Sequence, residues 1–581
     1  MTYQESLEYI EKKNSLGIHP GLERISAVLS QLQHPEQGIP VIQIAGTNGK
    51  GTIMSFLEAA LLEQGIRVGR YISPAITEYR ERWTVNREMP AEETVAKLLA
   101  REKEAEESAG VVLTSFEAET VAGLLLYQQE KCDILLIECG MGGRLDATNV
   151  FPGKLVDIIA SVSLDHMQYL GNTREEILIE KLGIVKPGDE LVTSPLDDIL
   201  RSVLIERKLS FTEAVLPEET VIKMNDSGTD FSWNGMELHI SMAGQAALEN
   251  AVTALTALQA YNRRAEEVNL PQVSRDSIRK AFYKMYWPAR FTVLRHQPAV
   301  IVDGAHNRDA WKKTAETMLR FYRPPFILVM GVLKDKEVDC MVETFAPLAK
   351  KIYCFTPDSP RALPGAELAV HFREKGISAE EVSSAETALF SALDVAGPED
   401  TILAAGSLTF VGGLLQKREQ VKMHRITRIL HDPEYIGHMR KILRTEYDRL
   451  FCHHGFGHAV SVARIAYILA MEENLPYSKE MLYAVALLHD VGRYTELEKS
   501  MSHHEAGAIL AEDYLIRAGF TEEERKEICN AIREHKEYGG QNGTLSGVLY
   551  RADKLSRNCF LCDAQKDCYW PEERKNQTIR V

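Results

Sequence analysis

The sequence predicts an α/β region with a mostly parallel sheet from about residue 40 to 420, followed by an all-α helical bundle. Three observations lead there. VIQIA (41–45), DILLIE (133–138), IIASVS (158–163), AVIVD (299–303), FILVM (326–330), KIYCF (351–355) and TILAA (401–405) are continuous apolar runs, as expected of strands buried on both faces of a parallel sheet. Helical stretches alternate with these runs. After about Val421 the runs cease, and segments of helical period follow at 458–471, 480–490, 504–517, 522–535 and 545–557, the pattern of a bundle. The 581 residues exceed what one hydrophobic core supports, so about three domains are expected.

The first strand, Val41 to Ala45, runs into Gly46-Thr47-Asn48-Gly49-Lys50-Gly51-Thr52 and then a helix. Glycines let successive backbone N–H groups face one anion, the helix N-terminus adds its dipole, Lys50 supplies a point charge, and Thr52 offers a hydroxyl to Mg²⁺. Gly51 separates the lysine from the hydroxyl residue, so the loop departs from the strict phosphate-loop pattern. In the helix Ile53, Phe56, Leu57, Ala60 and Leu61 share one face, and Gly65 stops it. Residues 225–242 contain Asp-Ser-Gly and Asn-Gly turns between alternating residues, which predicts a small hairpin. Domain joints are expected near 290–296, where YWPARF interrupts a helix, and near 418–425.

Sixty-seven Lys+Arg against 83 Asp+Glu give a net charge of -16, which argues against non-specific binding to nucleic acid or anionic membranes. Nine cysteines, scattered and odd in number, suit reduced thiols rather than a disulfide framework. The opening MTYQESLEYIEKKNSLG has no apolar signal region, and no window approaches a membrane span. The expectation is a cytoplasmic monomer with small-molecule substrates.

GTNGKGT resembles the loop of the Mur ligase superfamily, and within it the folylpolyglutamate synthase/dihydrofolate synthase family. Other motifs follow in order: ISP (72–74), ERW (81–83), IECGMGGRLDATNV (137–150), SLDHMQYLGNT (163–173), EKLGIVKPG (180–188), WPARF (287–291), VDGAHN (302–307), MGVLKDK (330–336) and GSLTFVG (406–412). The resemblance covers about 1–420 and implies a phosphate-loop ATPase domain (1–294) and a Rossmann-like glutamate-ligase domain (295–420). It implies ATP- and Mg²⁺-dependent joining of L-glutamate to folate, with dihydropteroate as a second candidate acceptor. The folate carboxylate would attack the γ-phosphate, and the glutamate amine would displace phosphate from the acyl phosphate.

By the same resemblance Thr52, Ser73, Glu138 and His166 are Mg²⁺ ligands, and Lys181 is the lysine that is carbamylated in the family. Gly46 to Thr52, Asn250, Arg290 and Asp303 contact ATP. Lys50, His166, Lys181, Asp303 and His306 carry the catalytic roles. Ala75, Ala247 and Ala289 stand where the family pattern has histidine, glutamine and glycine. These departures put contacts at the substrate and adenine in doubt, but leave the charged residues in place.

Ten of the 17 histidines lie in the last 161 residues. His458, the pair His489-Asp490 inside an apolar run, His503-His504, His535 and Asp553 occur in order. Imidazoles and carboxylates on the inner faces of several helices build a metal site, and a buried Asp490 would be costly without a cation. The set resembles the HD-domain phosphohydrolases over about 450–560, within a domain spanning 421–581. Carried over, His458, His489, Asp490 and Asp553 bind a first divalent ion and His503 and His535 a second, with His504 as the alternative to His503. Mn²⁺, Fe²⁺, Mg²⁺ and Zn²⁺ all suit such donors, for attack of activated water on an unidentified phosphoester. A rival reading makes this hydrolase the principal activity and the ligase-like region a nucleotide- or folate-binding regulator. Cys559, Cys562 and Cys568 are read as reduced thiols, with zinc or an iron–sulfur cluster as the alternative and Cys452 or a histidine as fourth ligand.

Overall fold

In the computed structural model, which describes residues 1–216, 220–495, 502–535 and 543–579, the apolar runs become the central strands of two sheets. The first contains β1 (Val41–Ala45), β2 (Val68–Tyr71), β3 (Trp83–Val85), β4 (Ile134–Glu138), β5 (Val156–Ile159), β6 (Glu190–Thr193) and β7 (Thr212–Glu213). Their order is β3-β2-β4-β1-β5-β6-β7, parallel throughout except for the β2–β3 pair. β1 lies between β4 and β5, with Ile44 opposite Glu138. The chain passes from β1 to β2 on one side and later crosses from β4 to β5 on the other, so a crevice opens at the carboxyl ends of these strands, where open α/β sheets bind ligands.

The helix after β1 spans Lys50–Glu63, starting earlier than its apolar pattern indicates. Thr52 to Leu61 are all buried, because helices Gln245–Arg264 and Arg275–Lys284 pack on the side away from the sheet. An amphipathic reading of this helix therefore captures only part of its buried surface; Phe56 of the predicted stripe stacks on Phe282 of helix Arg275–Lys284. The expected hairpin at 225–242 is a three-stranded antiparallel sheet: β8 (Val221–Asn225), β9 (Gly228–Trp233) and β10 (Met236–Ile240). Its turns are where the sequence places them; the added strand lies before the first turn.

The second large sheet contains β11 (Thr292–His296), β12 (Ala299–Asp303), β13 (Phe326–Met330), β14 (Ala349–Cys354), β15 (Ser378–Glu381) and β16 (Thr401–Ala405), in the order β11-β12-β16-β13-β14-β15. Only β11 is antiparallel. VDGAHN runs out of β12, MGVLKDK out of β13 and GSLTFVG out of β16, so the three sequence motifs share the carboxyl edge of this sheet.

Both sheets belong to one compact unit, Met1–Ala392 with Asp400–Gln416. A second unit comprises Leu393–Glu399 and the chain from Lys417 onward. It begins with helices Arg418–Lys422, His424–His431 and Pro433–Thr445, which the sequence reading passes over. Helices Phe456–Glu472, Lys479–Leu488, His503–Ala518, Glu522–Glu534 and Leu545–Leu555 follow. Val462, Ala466, Val485, Leu488, Leu515, Ile532 and Leu549 are among its core residues. Arg425 bridges two helices through Glu480 and Glu524, each at 2.7 Å. A methyl on Gly492 would stand 2.3 Å from the Gly507 nitrogen, so the absent side chain lets the turn after His489-Asp490 close on the helix that carries His503 and His504.

Candidate functional sites

Glycine geometry shapes the loop after β1. Gly46 (φ 156°) has no room for a methyl group, which would meet the Ala160 Cβ at 2.6 Å. Gly49 (φ 90°) is the left-handed cap of the following helix, and a methyl there would strike the Asn250 side chain at 2.3 Å. The Thr47 N–H donates to the Ser161 carbonyl at 2.7 Å, and the Thr47 hydroxyl donates to the Ser163 carbonyl at 3.1 Å. The loop is thus tied to the segment after β5.

Lys50 curls over its own loop, donating to the Gly46 carbonyl at 3.1 Å and the Thr47 carbonyl at 3.3 Å, with Glu138 at 3.7 Å. Burial pushes the Glu138 carboxyl up, while Lys50 and Arg290 draw it down. Lys50, Ser73, Glu138, His166, Lys181, Arg290 and His306 surround one cavity of about 130 Å³. The buried Glu138 carboxylate with the half-buried Ser73 hydroxyl and the exposed His166 imidazole around the same cavity fits a hard divalent ion, and the loop N–H groups at the helix N-terminus fit phosphate.

Thr52 is not in that group. Its side chain lines a neighbouring cavity of about 100 Å³ with Asn250, Ala247 and Asp303, so the expected four-ligand Mg²⁺ set is divided: Ser73, Glu138 and His166 share a cavity, and Thr52 faces the other. The cause is helical geometry, since two residues advance the direction by about 200° between Lys50 and Thr52. Asn48, Gly49 and Arg290 border both cavities.

Asp303 is engaged by its own protein: its carboxylate accepts from the Phe291 N–H at 2.7 Å, the Ala305 N–H at 2.8 Å and the Thr314 hydroxyl at 3.2 Å. These bonds make it a holder of the Arg290 and His306 loops. Ala289, where the family pattern has glycine, adopts φ 60° and accepts from the Gly304 N–H at 2.8 Å. His306 lies against the Gly304 carbonyl at 2.8 Å through Nδ1, and burial lowers its pKa to about 4, leaving it neutral at pH 7. His166 also sits in the left-handed region, at φ 49°, a strained conformation that functional sites retain.

Lys181 is only 3% exposed and is in no ion pair among the described residues. Burial, reinforced by Lys50, brings its pKa down to about 7. The sequence reading also passed over Asp165, Lys336 and Asn307. Lys336 meets Asp165 at 3.1 Å, and Asn307 donates to the Asn48 carbonyl oxygen of the side chain at 3.0 Å. Burial would raise Asp165, but Lys336 and then His166 hold it at about 2. All three residues stand inside the motifs SLDHMQYLGNT, MGVLKDK and VDGAHN, so the signal was the motif and only the role was missing.

In the second unit, three groups of ligand atoms converge: His458 with His489 and Asp553, His489 with Asp490 and His535, and His503 with His504 and His535. Every predicted ligand is in one of these groups, and His504 joins His503 rather than replacing it. His489 lies 2.7 Å from the Ala486 carbonyl through Nδ1, and His535 2.6 Å from Ile532. A carbonyl can only accept, so both rings carry a proton on Nδ1, which leaves Nε2 as the atom for a ligand.

The Nε2 atoms of His458 and His489 are buried without a well-directed hydrogen bond. Each faces a carboxylate oxygen at 3.1 Å, of Asp553 and Asp490 respectively. Lone pairs and carboxylates turned toward one another are what a divalent cation reconciles. Arg493 holds Asp490 at 2.9 Å and Arg557 holds Asp553 at 2.8 Å. The adjoining cavity of about 560 Å³ is lined by these two arginines, Lys554, His458, Trp570 and the four cysteines Cys452, Cys559, Cys562 and Cys568. The sulfur atoms do not form a converged ligand group among the described residues. Arg493, Lys554 and Arg557 line this cavity without having been given a role from the sequence; Lys554 and Arg557 closely follow Asp553 along the chain.

Comparison with known proteins identifies the same parts. The Mur ligase middle domain family matches residues 44–258, the Mur ligase glutamate ligase domain residues 289–408, and the HD domain residues 455–558. A dihydrofolate synthase/folylpolyglutamate synthase of Bacillus subtilis is 30% identical over 432 residues, covering 71% of this chain and 99% of the relative. That of Escherichia coli is 32% identical over 423 residues, covering 71% and 94%. The structure of E. coli FolC in complex with DHPP and ADP aligns with TM-score 0.63 at 28% identity, covering 72% of this chain and 98% of that one. A bifunctional folylpolyglutamate synthase/dihydrofolate synthase with Mn, AMPPNP and L-glutamate bound aligns with TM-score 0.61 at 29% identity, with 72% and 98% covered.

The convergence of His489 and Asp490 gives a direct expectation. Asp490→Asn in the full chain should weaken divalent-metal binding at least about tenfold, measured as metal retained per chain after dialysis, with the helical circular dichroism unchanged. Equal retention in wild type and variant would contradict the assignment.

Proposed function

The chain belongs to the dihydrofolate synthase/folylpolyglutamate synthase family, and from that premise we propose that residues 1–420 join L-glutamate to a folate acceptor at the expense of ATP, and that residues 421–581 hydrolyse a phosphoester. One observation carries the ligase reading: Lys50, Glu138, His166, Lys181, Arg290 and His306 meet around one cavity at the carboxyl ends of the strands. The division we propose is a nucleotide-binding domain (1–294), a glutamate-ligase domain (295–420) and a helical hydrolase domain (421–581).

ATP and an acid acceptor are both anionic, and bringing them together is the main barrier. Loop N–H groups from Gly46 to Gly51 cradle phosphate, Lys50 moves from its loop carbonyls to the γ-phosphate, and Arg290 neutralises the transferring group. Mg²⁺, when bound by Glu138 and His166 with Ser73, supplies further neutralisation and Lewis acidity. Thr52, Asn250 and Asp303 form the adjoining nucleotide wall. The acceptor carboxylate takes the phosphoryl group, ADP leaves, and the glutamate amine attacks the acyl carbon, releasing phosphate and forming the amide. His306 is neutral, so it adds no charge to the cation cluster and can accept the proton of the attacking amine. Excluding water preserves the acyl phosphate.

Lys181, with an amine neutral above about pH 7, is able to attack CO₂, giving a carbamate and a proton. The product replaces a cation beside Lys50 with an anion that fits the divalent ion. In the helical domain Arg493, Lys554 and Arg557 hold the phosphoester. Mn²⁺, Fe²⁺ or Zn²⁺, when bound by the histidine–aspartate groups, supplies Lewis acidity. ATP, folates and free thiols suit a cytoplasmic monomer; among the described residues no helix is long and apolar enough to cross a membrane.

The test of the ligase reading is purified chain with ATP, glutamate and either tetrahydrofolate or dihydropteroate, scored for ADP and lengthened product. Lys50→Ala should lower turnover by about two to three orders of magnitude; absence of product from wild type rejects the reading, and the acceptor used decides dihydrofolate synthase activity. For Lys181, turnover above pH 7 should fall in CO₂-free buffer and return with bicarbonate. Below pH 7, where the amine is protonated, bicarbonate should have little effect, and turnover indifferent to CO₂ throughout would remove the carbamate.

A further inference from the structure

The chain beyond Asn558 holds its shape with little of the usual support. From Cys559 onward the buried described residues are Lys575 and Asn576, both polar, and no described residue of the segment is part of the apolar core of its unit. Its attachments are polar: Asn576 donates to the carbonyls of Lys554 at 2.8 Å and Arg557 at 2.9 Å, and the Lys554 ammonium lies over the Trp570 ring, while within the segment Lys575 donates to the Gln565 carbonyl at 2.9 Å. A stretch that buries so little apolar surface has little to offset the entropy of ordering it, and small coreless elements are held by cross-links or metals.

Three of its residues are cysteines, and a fourth, Cys452, comes from the loop before helix Phe456–Glu472. All four line the same cavity. Cys559 and Cys562 are the ends of a tight turn, in which the Cys562 N–H donates to the Cys559 carbonyl at 3.2 Å. Such a turn lets two sulfurs spaced Cys-x-x-Cys point to one side, as metal-binding knuckles require. Arg557 and Lys575 line the same cavity, and although each is paired with a carboxylate, Asp553 and Glu572, they bring positive charge near a tetrathiolate site, whose net charge with Zn²⁺ is negative.

We propose that Cys452, Cys559, Cys562 and Cys568 form a tetrathiolate zinc site that fastens the segment 559–576 against the histidine-rich cavity. The site is separate from the histidine–aspartate groups, which share no residue with it. Because the sulfurs are not yet gathered into a ligand group, zinc closes the site by drawing them to about 2.3 Å from the metal and releases the thiol protons. The function is structural: the segment that supplies Trp570 and Tyr569 to the cavity wall is held in place by the metal.

The full chain, with zinc exchanged for Co²⁺, should show the strong sulfur-to-cobalt charge-transfer absorption that imidazole and carboxylate ligands do not give. Cys559→Ser/Cys562→Ser should abolish that band and lose one zinc per chain, while metal in the histidine–aspartate groups remains. In unmutated chain, iodoacetamide should label the four cysteines only after chelation, a result independent of whether the variant folds. A cobalt chain without the thiolate band, unchanged zinc in the variant, labelling indifferent to chelator, or an iron–sulfide chromophore in place of zinc would each overturn the proposal.

Discussion

The ligase half of the molecule depends on how Lys50 is held. Its ammonium is largely buried among the carbonyls of its own loop, with the Glu138 carboxylate at 3.7 Å. Neither charge is tolerable there alone, since an isolated buried ion carries a desolvation cost of several kcal/mol, roughly, in real proteins. The pair is also loose, longer than a direct hydrogen bond. A ligand phosphate can therefore take the lysine and a divalent ion the carboxylate, each exchanging a weak contact for a stronger one. The surrounding fold serves this exchange: β1 and β4 run in register so that loop and carboxylate emerge side by side, and the segment after β5 ties the loop from the other flank.

A second consequence follows from the same crowding of cations. Lys181 is buried within reach of Lys50, and its positive charge is suppressed. The site thus lessens the excess of buried like charge by making one amine easier to deprotonate, and the neutral amine is the form that reacts with CO₂. The helical unit meets the complementary problem with buried carboxylates. Asp490 and Asp553 each keep an arginine, at 2.9 Å and 2.8 Å, so the metal-binding groups stay ionised before any metal arrives. In both units the protein stabilises a charged site with partners that a ligand can displace.

Much of this was legible from residue order. VIQIA, AVIVD, FILVM and TILAA coincide with β1, β12, β13 and β16 because strands covered on both faces need uninterrupted apolar side chains. Edge strands such as Ser378–Glu381 escape notice because one side is wet and the run is short and polar. Helices Arg418–Lys422 to Pro433–Thr445 were missed for a related reason: the region is charged and lacks glycine or proline punctuation at its start. Of the residues expected from chemistry plus order, the structure brings many together, Lys50 with Glu138 and His166 around one cavity and His489 with Asp490 and His535 in another group. What order does not determine is direction. Thr52 belongs to the phosphate-loop motif yet turns to the adjoining cavity, His504 turns inward with His503, and Asp303 spends its oxygens on backbone N–H groups.

We propose that the charge-neutralising cavity activates a carboxylate by phosphorylating it. Transfer of label from an acceptor whose reacting carboxylate carries ¹⁸O tests this without mutation. If the acyl phosphate forms, inorganic phosphate released during turnover contains one ¹⁸O atom per amide bond made. Phosphate free of label, with amide formation proceeding, would contradict the account.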